Sequence, residues 1–112
     1  MPAANKEVLA AYKAHATDIL DFLKEAKAQA DSGCDPEGIL EIAQQGLLSL
    51  LKQVEPSNEL AIALIQDASK IDCRYDRSEF LIVAAVRIIT QIENQRQPKT
   101  LHDMINDYRG EN

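Results

Sequence analysis

The sequence predicts an all-α fold, an antiparallel bundle of four main helices with a short fifth helix at the C-terminus. Three observations carry this. Apolar residues recur at spacings of three and four through most of the chain, which is the period of a helix face. Glycine and proline number only four each and nearly all fall between those periodic segments, too few for the hairpins a β protein needs. The chain has 112 residues, enough for one core and not two, so residues 1–112 read as a single domain. With 46% hydrophobic residues, 4% aromatic and no Trp, that core is built from Leu, Ile, Val and Ala.

The first helix is expected over about residues 5–30. Val8, Tyr12, His15, Ile19, Phe22 and Ala26 fall at helical spacing, with Leu9, Ala16, Leu20 and Leu23 beside them. Asp31-Ser32-Gly33 ends it, and Gly33 suits the left-handed position that closes a helix. Asp35-Pro36-Glu37 then opens the second helix, with Asp as N-cap, Pro at the first helical position and an acid where the helix dipole favours it. Ile39, Leu40, Ile42, Ala43, Leu47, Leu48, Leu50, Leu51 and Val54 leave only the polar stripe Glu41, Gln45, Ser49 and Lys52, so this helix is expected to be central. Gly46 falls in its apolar arc, where the missing side chain lets a neighbour approach closely.

Glu55-Pro56-Ser57-Asn58 breaks the pattern, and a third helix is expected from Ser57 to Ile71. Asp72 to Ser78 reads as a polar connection, with Asp76 and Glu79 at capping-box spacing before a fourth helix that runs through Gln95. The fourth helix is apolar around most of its circumference from Phe80 to Ile89, with Arg87, Thr90, Gln91 and Asn94 as its wet side. Gln97-Pro98 stops it, and Thr100 to Asp103 resembles another capping box that opens a short helix carrying Leu101, Met104, Ile105 and Tyr108.

The net charge is −6, and it is unevenly spread. Residues 1–73 hold six Lys against twelve acids, whereas residues 74–112 hold five Arg and one Lys against six acids, so the whole excess lies in the first three helices. An acidic chain is unsuited to the nucleic-acid backbone or to an anionic membrane and suited to a basic protein partner. A helix-turn-helix reader fails on the same ground, because the segment from Ser57 to Ile71 has one base, Lys70, against Glu59 and Asp67. The start of the chain has no apolar leader and the longest apolar run, Phe80 to Val86, is too short to span a bilayer; a cytoplasmic protein with reduced thiols is expected.

Searching for chemistry leaves little. No Glu-x-x-His pair supports a di-iron site. His15 reads as a half-buried seam residue, and His102-Asp103 lacks the further ligands a metal-dependent phosphohydrolase requires. No serine stands in a nucleophile elbow, and Gly33 and Gly38 have phosphate-loop spacing without the Lys that would follow. The expectation is a protein that is not an enzyme and takes no cofactor or metal.

Cys34 and Cys73 are too distant in sequence for a metal or redox motif, but a bundle places both at one end, where Arg74 and Arg77 could favour a thiolate. Helices two and four carry more apolar surface than a small bundle readily buries. Phe80, Ile82, Val83 and Val86, with Leu48 and Ile62, are therefore candidates for a partner or homodimer interface, unless the short fifth helix covers them. The Arg74-Tyr75-Arg77 connection would supply anchors for such a partner, or would pair with Asp72 and Asp76. The function expected is a small acidic interaction module of inhibitor, immunity, antitoxin or adaptor type. The alternatives are a self-associating structural subunit and a small-ligand or redox sensor.

Overall fold

The computed structural model describes residues 6–96, with the side chain of Arg96 left aside. Among these residues the secondary structure is helical, with no strand. Helix α1 spans Lys6–Asp31, α2 spans Glu37–Val54 and α3 spans Glu59–Gln66; a 3-10 turn, Asp67–Lys70, follows, and α4 spans Arg74–Arg96. The fifth helix expected from Thr100, with Leu101, Met104, Ile105 and Tyr108, lies outside the described residues.

The close of α1 follows from Gly33, whose φ of 89° is the left-handed conformation that a residue without Cβ adopts freely. Cys34 N–H donates to Gln29 O at 2.8 Å and Gly33 N–H donates to Ala30 O at 3.2 Å, the paired bonds of a Schellman stop. The next helix starts one residue later than expected: Pro36 stands at the N-cap and Glu37 is the first helical residue, with the Asp35 carboxylate accepting from Glu37 N–H at 3.1 Å and Leu40 N–H donating to Pro36 O at 2.9 Å.

Helices α1, α2 and α4 pack on one another, with α2 packing in addition against α3 and α4 against the 3-10 turn. The buried face of α1 is Leu9, Ala16, Ile19, Leu23 and Ala26, with Tyr12 half-buried; spacings of three and four make a regular seam. On α4, Ser78, Leu81, Ala85, Ile88 and Ile92 repeat the same spacing. Alanines at 16, 26 and 85 are fully buried and keep the helix surfaces shallow where they meet. Lys13 Nζ stands 2.6 Å from Glu93 Oε1, and Lys27 Nζ lies 5.1 Å from the centre of the Tyr75 ring. The start of α1 thus meets the end of α4, and the end of α1 meets its start.

Three further expectations need correction. The seam of α1 keeps only one edge of the expected face: Tyr12, Ile19 and Ala26 lie in it with Leu9, Ala16 and Leu23, whereas Val8, His15 and Phe22 on the other edge are exposed. The third helix does not run to Ile71. Its α-helical part ends at Gln66, where Gln44 Nε2 of α2 donates to Ile65 O at 2.8 Å and to Gln66 O at 3.1 Å, satisfying carbonyls that a longer helix would have used. The fourth helix begins at Arg74, ahead of the cap expected at Asp76. Arg77 N–H donates to Cys73 O at 2.9 Å, so Asp76 sits inside the first turn and not at a cap.

Gly46 performs the expected service. A Cβ built there would lie 2.7 Å from Ile19 Cδ1, so α1 and α2 approach each other through the missing side chain. The expected polar stripe of α2, Glu41, Gln45, Ser49 and Lys52, is exposed throughout.

Candidate functional site

Polar contacts gather at one end of the molecule. The α1–α2 connection and the residues preceding α4 meet there, joined by a carboxylate between two arginines. Arg77 is only 5% exposed. Its Nε and Nη2 donate to Ile71 O at 2.9 and 2.7 Å, Nη2 also donates to Ser69 O at 3.2 Å, and Nη1 donates to Glu37 Oε1 at 2.9 Å. Arg74 Nε stands 2.8 Å from Glu37 Oε2, a charge contact whose angle makes no hydrogen bond, and 3.6 Å from Asp35 Oδ1. Arg77 has its donors turned inward and is committed to holding the chain that leads into α4. Arg74 and Tyr75 are half-buried, and Tyr75 carries Lys27 over its ring.

Cys34 and Cys73 flank this cluster, each next in sequence to a member of the Asp35–Arg74 pair. Both are exposed free thiols. Ser32 Oγ donates to Cys34 Sγ at 3.8 Å. Among the described residues, no group of three or more His, Cys, Asp or Glu side chains is arranged to hold a metal ion. No described helix is long and apolar enough to cross a membrane.

The remaining expected interface residues divide. Val83 is 69% exposed and Val86 is exposed as well, whereas Phe80, Ile82 and Ile62 are half-buried against the core. Leu48 is buried. Phe80, Val83, Ala84 and Arg87 of α4 face Ala61, Leu64 and Ile65 of α3 across a shallow groove of about 190 Å³.

A second and larger apolar groove, of about 310 Å³, lies between α1 and α2 and was missed in the sequence. His15, Asp18, Ile19 and Phe22 line one side, and Ile39, Ile42, Ala43 and Gly46 the other. Phe22 is 55% exposed and Ile42 is 74% exposed. Carboxylates border it, since Asp18, Asp21 and Glu25 surround Phe22. The one signal available beforehand was phase: a strict three-four seam through Leu9, Ala16, Ile19 and Leu23 leaves Phe22 outside it. Comparison with protein-family models, characterised proteins and solved structures finds no match.

Proposed function

We propose that this protein is a non-catalytic interaction module, an antiparallel helical bundle that binds a basic protein partner. One observation carries the reading. Large apolar side chains stand exposed beside a cluster of carboxylates, on a chain whose net charge is −6. Apolar surface supplies the free energy of association, and the charge selects and steers a partner of opposite sign. The end-to-end contacts between α1 and α4 support the antiparallel arrangement. The two exposed free thiols suit a reducing, cytoplasmic setting. Such a module would act as an inhibitor or an adaptor by occupying a surface of its partner.

A second reading has an observation of its own. The Val83 face is apolar and has no carboxylate on its lining, which suits a second copy of the same chain and a structural role through self-association. Affinity capture with the purified chain at low and at high salt, together with sedimentation, separates the two. The module reading expects a monomer that retains a basic protein and releases it as salt rises. A stable dimer broken by Val83→Glu, with no protein retained, overturns it.

A further inference from the structure

Among the described residues, two exposed apolar grooves flank the core and differ in charge. The α3/α4 groove has Arg87 on its lining and no acid. The α1/α2 groove has Asp18 on its lining, with Asp21 and Glu25 around the outward face of Phe22 and no Lys or Arg on either lining. On the far side of α2 the adjoining hollow, which Ile42 also lines, holds Glu37, Glu41 and Lys52, charges of both signs. The carboxylates of the groove itself therefore stand along its α1 wall.

The groove's shape is set by Gly46 and Ile19. With no side chain on Gly46, Ile19 lies close against α2, and Ile19 and Ala43 make an apolar floor beneath the walls Phe22 and Ile42. From Ile39 to Gly46 is seven residues of helix, about 10 Å at the helical rise, which matches the span from i to i+7 on one face of a facing helix. Resting on the reading of this chain as a binding module, we propose that the α1/α2 groove is a docking site for an amphipathic basic helix of a partner protein. Apolar residues at i, i+3, i+4 and i+7 of that helix lie between Phe22 and Ile42, and Lys and Arg side chains on its α1-facing flank meet Asp18, Asp21 and Glu25. An uncharged apolar occupant would gain nothing from these carboxylates, and a nucleic acid would be repelled by them.

A fluorescein-labelled synthetic Leu/Lys peptide with leucines at that spacing is the probe, and a peptide of the same composition with its leucines dispersed is its control. Anisotropy titration expects the amphipathic peptide to bind and the control to bind at least about tenfold more weakly, because charge alone does not seat it. Phe22→Ala combined with Ile42→Ala weakens binding about tenfold. Both positions are exposed, and a thermal melt close to that of the parent chain confirms the fold. Asp21→Asn with Glu25→Gln weakens binding about threefold at low salt and flattens its salt dependence. Val83→Ala changes nothing, and amide NMR shifts on binding fall in residues 15–25 and 39–46.

Equal binding of the two peptides overturns the proposal, as does indifference to the Phe22/Ile42 pair, or shifts centred on Leu64 and Val83. Self-association of the pure chain that Ile42→Ala abolishes would assign the groove to a second copy and also overturn it. If a basic protein retained in a salt-dependent manner binds the Phe22/Ile42 double variant unchanged, the module reading stands and this groove is not its site. If no protein is retained by either form, the module reading itself falls.

Discussion

The contact between α1 and α4 and the contact between α2 and α3 solve the same problem by opposite means. Helices α1 and α4, of 26 and 23 residues, meet along a seam in which buried apolar residues repeat every three and four positions. Burial alone holds such a pair, since each fully buried Leu or Ile contributes about 1.5–3 kcal/mol. Helix α3 has eight residues and buries only Ile65, with Ala68 of the 3-10 turn beside it. Two turns offer too little apolar area to anchor themselves, and polar ties do it instead. Asn58 caps its start by accepting from Ala61 N–H at 3.2 Å, Gln44 holds its end, and Arg77 binds the carbonyls of Ser69 and Ile71 beyond it. A long helix can be fixed by periodicity, whereas a short one needs donors and acceptors placed by other elements.

The sharpest way to break this contrast is Leu81→Ala in the α1–α4 seam. Leu81 is wholly buried, so the expected loss is about 2–5 kcal/mol in a denaturant melt, spread over the whole cooperative unit. Arg77→Met comes next, at about 1–3 kcal/mol, because it orphans the carbonyls of Ser69 and Ile71. Its Glu37 partner is 38% exposed and recovers water, which keeps the loss below that of a fully buried ion pair.

Gln44→Leu should cost about 1–2 kcal/mol by removing the buried amide that donates to Ile65 O and Gln66 O at the end of α3. Its signature is local: native-state hydrogen exchange should speed up over residues 59–66 and leave α1 and α4 protected. Uniform acceleration across all four helices would show that α3 is not a separately tied element. The smallest effect is expected at Gly46→Ala, within about 1 kcal/mol, since the gain in helix propensity opposes the displacement of the Ile19 methyl end. A loss as large as that of Leu81→Ala would mean that α1 and α2 cannot shift at all.

Where a local signal exists, the chain was legible. Gly33 and Asp35 act through neighbours two to five residues away; the α1 stop stands where Gly33 puts it, and α2 starts within one residue of the expected position. Gly46 was legible because an apolar arc interrupted by glycine has one steric meaning. Helix α4 was misjudged at its start because Arg77, polar in isolation, is buried by partners elsewhere in the chain: Glu37, forty residues away, and carbonyls of the preceding segment. The end of α3 was hidden for the same reason, since Gln44 is twenty-one residues from the carbonyl it serves.

By itself, then, the sequence determined that the described chain is helical, where α1 ends and α2 begins, which face of α2 is wet, and where the acidic charge lies. These follow from spacing, turn chemistry and composition, all of them local. The tertiary structure alone decided which edge of the α1 face is buried. Tyr12, Ile19 and Ala26 belong to it either way, and only the shapes of α4 and α2 choose Leu9, Ala16 and Leu23 over Val8, His15 and Phe22. That choice of edge is what leaves Phe22 in the open beside Ile42 and places the acid-rimmed groove on the surface.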